Sequence, residues 1–197
     1  MEVMMDAGDT KNQILKAAER LLEYYGYQKT SMADIARDCQ MSPANIYRFY
    51  KGKDDILAEI ATNIFRDVEN KLREVLRSSQ PSASERLEVF ILENLRYLDI
   101  ICPCHGKMDE AVEYIKRKNP DLFNQHLEAK RSMIAEILAE GNLREEFDIE
   151  DIVGKAELIL NATFLCRCQW ADRSPENEEV EKAATGIIKL LVRGLNK

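Results

Sequence analysis

TSMADIARDCQMSPANIYRFYKGK, residues 30–53, encodes two short amphipathic helices joined by a tight turn. Ser31 followed three residues later by Asp34 marks a helix start, because a hydroxyl there accepts an N–H that the first turn leaves unpaired. Ile35 and Ala36 form the inward face of that helix, and Gln40 and Met41 make the turn. Ser42 then caps a third helix with Pro43 at its first position, where a missing N–H does no harm. Ile46 and Tyr50, four apart, share its buried side. In a helix-turn-helix, one helix braces against the phosphate backbone of a duplex while the other presents its N-terminal residues to base edges. Aromatic and basic side chains near the end of the third helix fit that arrangement.

Working outward, Thr10 with Gln13 three residues later predicts a first helix, leaving residues 1–9 as a loose arm. Ile14, Leu15, Ala18, Leu21, Leu22 and Tyr25 then recur at helical spacing, and Gly26 is the expected stop. Beyond the break at Lys51-Gly52-Lys53, Asp54 and Asp55 occupy a first turn, which favours negative charge. Ile56, Leu57, Ile60, Ile64, Val68, Leu72, Val75 and Leu76 run as one stripe over about six turns, predicting a long connector helix. Ser78 to Ser84 reads as a linker. Five further helical patterns follow: Ser84 to Ile101, Pro103 to Lys118, a third stopped by Gly141, Asp148 to Trp170, and Ser174 to Leu195. With no segment alternating at period two, the expectation is an all-α protein of about nine helices. It divides into a DNA-binding head over 8–68, with the helix-turn-helix at 31–50, and a larger domain over 69–197.

The 197 residues carry a formal charge of −7, which argues against a protein that coats nucleic acid indiscriminately. Between Gln28 and Lys53, however, five Lys and Arg face two Asp, a local basic face on an acidic body that suits a site-specific binder. No run of 18 apolar residues and no signal-peptide pattern occur, so the expected location is the cytoplasm, with no membrane partner. No residue set predicts catalysis: there is no phosphate-binding glycine loop, no Gly-x-Ser-x-Gly and no His-Glu-x-x-His. Neither an enzyme nor a resident cofactor is expected.

Thr30, Ser31, Ile35, Ala36, Ser42, Pro43, Ile46, Tyr47, Arg48, Phe49, Tyr50, Lys53, Asp54 and Asp55 together resemble the head of the TetR family of bacterial transcriptional repressors. The likeness is specific over residues 10–57 and rests on helix count and length beyond them. It implies a homodimer joined through the last two helices, a near-palindromic DNA operator, and a small-molecule effector held in the C-terminal domain. It further implies that Thr30 and Ser31 donate to phosphates, as do Tyr47 and Lys53 across the groove. Ser42, Pro43, Ala44 and Asn45 would face the bases, and Arg48 would reach a guanine or a phosphate. Phe49 departs from the pattern, since many relatives place a donor there. The side chains have the matching capacities: hydroxyls and Lys bind phosphate, and Asn pairs bidentately with adenine. For the interface, Ile152, Ile159, Ala162, Thr163, Phe164 and Trp170, with Val180, Ala184, Ile187, Ile188, Leu191 and Leu195, supply apolar faces.

Phe49 and the acidic total leave a remote alternative, a helical binding protein or enzyme whose head no longer reads DNA, and two cysteine clusters open another, a metal- or thiol-responsive regulator. Cys102, Cys104, His105, Cys166 and Cys168 supply enough donors for a tetrahedral site if the two segments meet. Helix geometry weighs against it, because Cys166 and Cys168, two apart in mid-helix, point to nearly opposite sides. Packing is the reading favoured for these cysteines and for Cys39, and His105, Asp109 and Glu113 read as a solvated face.

Overall fold

The computed structural model describes residues 7–78, 82–101, 107–170 and 178–195, and these form nine α-helices with no strand among them. In chain order they are α1 (Ala7–Tyr25), α2 (Met32–Asp38), α3 (Pro43–Ile46), α4 (Lys53–Arg77) and α5 (Ala83–Ile101). Then follow α6 (Lys107–Lys118), α7 (Pro120–Leu143), α8 (Ile152–Trp170) and α9 (Glu178–Arg193). Two compact units result, one of residues 1–64 with 105–122, the other of residues 65–104 with 123–197.

In the first unit α1 packs on α2 and α6, and α2 on α3. Ile14, Leu15, Ala18 and Leu22 of α1, Ile35 and Ala36 of α2, Ile46, Tyr50, and Ile56, Leu57 and Ile60 of α4 are buried. The capping expected at α2 is complete. Ser31 Oγ accepts the Asp34 N–H at 3.2 Å, and the Asp34 carboxylate accepts the Ser31 N–H at 3.0 Å. At the turn, Gln40 takes φ 57°, the left-handed region, and the Met41 N–H closes on the Ala36 carbonyl at 2.8 Å. Gly26, at φ 84°, ends α1 as expected, its N–H on the Leu22 carbonyl at 2.9 Å. Replacing Ser31 by Ala should cost about 1 kcal/mol, read by urea denaturation, because so short a helix has few other bonds to hold its first turn.

Some boundaries differ from expectation. α1 begins at Ala7 rather than Thr10; Thr10 is buried, and Gln13 Nε2 donates to the Cys39 carbonyl at 3.1 Å instead of reaching back as a cap. α3 is only four residues long. The chain continues in tighter bonds, Arg48 N–H to the Asn45 carbonyl and Phe49 N–H to the Ile46 carbonyl, which satisfy carbonyls the helix end would orphan. α8 starts at Ile152, four residues later than Asp148.

In the second unit α5 packs against α8 and α9, and those two against each other. Phe65, absent from the expected stripe of α4, is buried, stacked flat on His126 with ring centroids 4.2 Å apart and edge-on to Phe123. His126 Nδ1 lies 2.9 Å from a Glu69 carboxylate oxygen. Gly141 does not stop α7; the helix continues to Leu143, and the space a Cβ would take is filled by the Phe147 ring. Behind it, Glu145 turns at φ 60° and the N–H groups of Glu146 and Phe147 return to the Gly141 carbonyl. The Glu146 carboxylate then accepts the Ala83 and Ser84 N–H groups, at 2.8 and 3.3 Å, capping α5 from a residue far along the chain. Of the expected interface residues, Ile159, Thr163 and Ile188 are buried within the chain itself, which removes them from its surface; among the described residues of α8 and α9, Val153, Leu158 and Leu190 are large exposed apolar side chains. The side chains of Phe164, Trp170, Val180 and Ala184 lie outside the described residues.

Candidate nucleic-acid interface

Local capping sets the site. Ser42 Oγ accepts the Asn45 N–H at 3.2 Å, and Pro43 presets the first helical residue, so α3 leaves the turn in one orientation. Ile46 and Tyr50 anchor its inner side. What remains outside is Ser42, Pro43, Ala44, Tyr47 and Arg48, all exposed, with Asn45 and Phe49 half-buried. Seven of the eight positions from 42 to 49, all but the buried Ile46, thus put six polar, small or cationic side chains and one phenyl ring around a short helix whose inner face is fixed.

Ser31 is also exposed, and its hydroxyl is shared with Asp34. That hydrogen bond, with the Ser31 backbone N–H, holds the Asp34 carboxyl below its usual range. Thr30 departs from expectation. It is only 2% exposed, and its hydroxyl donates to the Gly26 carbonyl at 2.8 Å, so the proton intended for a phosphate is engaged inside the head. Lys53 departs in the same way. Its ammonium donates to the carbonyls of Tyr27 and, at 2.7 Å, Thr30, and sits 4.0 Å from the centre of the Tyr27 ring. Burial lowers the proton affinity of that amine, while Asp54 and Glu110 partly restore it.

Residues not anticipated from the sequence surround this amine. The Tyr27 hydroxyl donates to one oxygen of Asp54, and the Tyr114 hydroxyl of α6 donates to the other at 2.9 Å. The two tyrosine rings stack, centroids 4.2 Å apart. Burial, followed by the bond to Asp54, raises the Tyr27 phenol far above its usual range, and the same bond lowers the Asp54 carboxyl. Nothing local in the sequence links positions 27, 54 and 114; the only hint is an aromatic residue directly after the helix-ending Gly26.

Cys39 is buried, its thiol directed at the Gln13 carbonyl and its proton held more tightly by burial, as packing requires. Cys102, Cys104 and His105 lie outside the described residues, as do the side chains of Cys166, Cys168 and Asp109. Among the described residues no cluster of three or more His, Cys, Asp or Glu could hold a metal ion, and no helix is long and apolar enough to cross a membrane.

Residues 14–60 match the family model described as bacterial regulatory proteins, tetR family. Over 162 residues the chain is 28% identical to the HTH-type transcriptional regulator QacR of Staphylococcus aureus, covering 77% of this chain and 81% of that one. A shorter match, 32% identical over 73 residues, links it to the uncharacterized HTH-type transcriptional regulator YhgD of Bacillus subtilis and spans 38% of that protein. In fold it is similar to the transcriptional regulator FadR of Bacillus subtilis, solved in complex with stearoyl-CoA. That likeness has a TM-score of 0.68 at 20% identity and covers 94% of this chain and 99% of that one. A transcriptional regulator from Cytophaga hutchinsonii superposes with a TM-score of 0.78 at 16% identity, over 94% and 98% of the two chains. The head thus matches the tetR family of bacterial regulatory proteins in sequence over residues 14–60, and nearly the whole length resembles solved transcriptional regulators in fold.

Proposed function

We propose that this protein is a dimeric transcriptional repressor that binds a near-palindromic operator through α3 and is released by a small molecule held among its C-terminal helices. The observation that carries the reading is the exposed rim of α3, from Ser42 to Arg48, on a helix whose inner side is fixed by Ile46 and Tyr50. Ser42, Pro43, Ala44 and Asn45 would meet base edges, with Asn45 suited to adenine. Ser31, Tyr47 and Arg48 would contact phosphates, and Arg48 has the further option of a guanine. Thr30 would serve by shaping the turn before α2 rather than by donating its hydroxyl, and Lys53 would have to leave its carbonyl cage to reach a phosphate.

Exposed Val153, Leu158 and Leu190 on α8 and α9 support dimerisation through those helices. Gly186, with open space where a Cβ would stand, lets another backbone come near. For the effector, FadR's stearoyl-CoA suggests a ligand with a long apolar part. Asn94 of α5, only 2% exposed and with its carbonyl oxygen unpartnered, offers that ligand an acceptor. The effector would act by binding more tightly to a form whose heads are wrongly spaced for the operator. Such a regulator works in the cytoplasm, where the chromosome lies.

Selection from random duplexes tests this directly. Enrichment of an inverted repeat with half-sites about one helical turn apart is expected, and Arg48→Ala should weaken binding to it by roughly tenfold, within the ~1–3 kcal/mol of one base contact. Recovery of unrelated sequences with no dyad would overturn the proposal.

A further inference from the structure

Resting on that reading, we propose that Tyr114 of α6 is a positioning residue for Lys53: its ring, stacked on Tyr27, keeps the lysine turned inward, and contact between Lys53 and phosphate requires this stack to open. Lys53 has three N–H donors, and two of them are held by the Tyr27 and Thr30 carbonyls. The Tyr27 ring faces the same ammonium, so this one residue supplies both a carbonyl and a π face. Tyr27 is itself fixed from outside its own segment. Tyr114 stacks on it, and the two hydroxyls grip opposite oxygens of Asp54, the residue that follows Lys53. Glu110, one turn before Tyr114 and so on the same face of α6, adds negative charge that favours the ammonium where it is. α6 therefore holds the base of the cage. A duplex offers Lys53 a stronger partner, since each phosphate contact by a cation also releases a counterion. Whether the amine answers that attraction depends on how firmly Tyr27 is held.

The test uses the full chain with Tyr114→Ala and Tyr114→Phe. The first readout needs no DNA. Seated over the Tyr27 ring, the ε-methylene protons of Lys53 should resonate upfield of an ordinary lysine. They are expected to return toward the ordinary position in Tyr114→Ala and to stay upfield in Tyr114→Phe, which keeps a ring to stack. The second readout is affinity for the selected duplex as a function of salt. Tyr114→Ala should bind several-fold more tightly, with a slope of log K against log salt steeper by about 0.9 per head. The gain should vanish when Lys53→Met is added. Lys53 resonances unmoved by Tyr114→Ala in a protein with unchanged helix content would overturn the proposal, and so would a gain in affinity that survives Lys53→Met. Where Tyr114→Ala does not fold, Tyr114→Leu keeps apolar bulk without a ring and is read in the same way. Failure of the wild-type chain to select any duplex would instead withdraw the DNA reading, and the phosphate contact with it. The lysine resonances would still report whether Tyr114 holds the amine.

Discussion

Gly141→Ala is expected to destabilise the protein by about 2–3 kcal/mol, although alanine is the better helix former by about 1 kcal/mol. A Cβ at this position would stand 2.1 Å from Cδ2 and 2.4 Å from Cε2 of Phe147, far inside contact distance. Phe147 is one of the largest fully buried side chains, so its ring cannot step aside without vacating the core. Nor can the backbone yield easily, because the Gly141 carbonyl receives the N–H groups of both Glu146 and Phe147. Urea denaturation of Gly141→Ala, Phe147→Leu and the double variant measures the clash. The two substitutions should be strongly non-additive, the smaller side chain recovering part of the loss. A Gly141→Ala protein as stable as wild type would show that the ring has room to move.

Acid should weaken the fold well before the carboxylates titrate, through His126. Burial, with Lys130 one turn away, pushes this imidazole down to about 3 from an ordinary value of 6.5. Between those two values the unfolded chain binds the proton and the folded one does not. Stability is therefore complete above about pH 6.5 and falls as pH drops toward 3. One unit of difference is worth about 1.4 kcal/mol, so near pH 5 the loss should be about 2 kcal/mol. The neutral ring donates from Nδ1 to Glu69 and stacks on Phe65, contacts that fix both its tautomer and its plane. His126→Asn cannot titrate and still offers a donor; it should lower stability at neutral pH while flattening the decline between pH 6.5 and 5. An equally steep decline in that variant would assign the acid sensitivity elsewhere.

Where the fold was legible in sequence, the responsible forces were local. The caps at Ser31 and Ser42 and the stop at Gly26 depend on neighbours within a turn or two and were found as expected; of the α4 stripe, Ile56, Leu57, Ile60, Val68, Leu72 and Val75 are buried, while Ile64 and Leu76 are half-buried. Where the reading failed, a remote partner had overridden a local signal. Gly141 looked like a stop and became a seat for Phe147. Thr10 and Gln13 looked like a cap and were drawn into contacts with the rest of the head, Gln13 through Cys39. Phe65 fell outside the apolar stripe because what buries it, the rings of Phe123 and His126, arrives about sixty residues later. At the candidate interface the exposed rim of α3 followed directly from capping and periodicity. The inward poses of Thr30 and Lys53 did not, since a hydroxyl or an ammonium gives no sign in sequence of whether it will face solvent or a carbonyl.

The place of α6 bears on how the protein is made. Its Ala111 and Ile115 are buried, and it packs against α1, so the N-terminal unit is assembled from two stretches separated by forty residues of the other. During synthesis, the first sixty-four residues leave the ribosome without the helix that completes their core, and they must wait for residue 122 to follow. Until then the seat that Tyr114 later fills beside Tyr27 stands open. The nascent chain thus reaches a finished first unit only after α5 has also been translated, which ties maturation of the two units together.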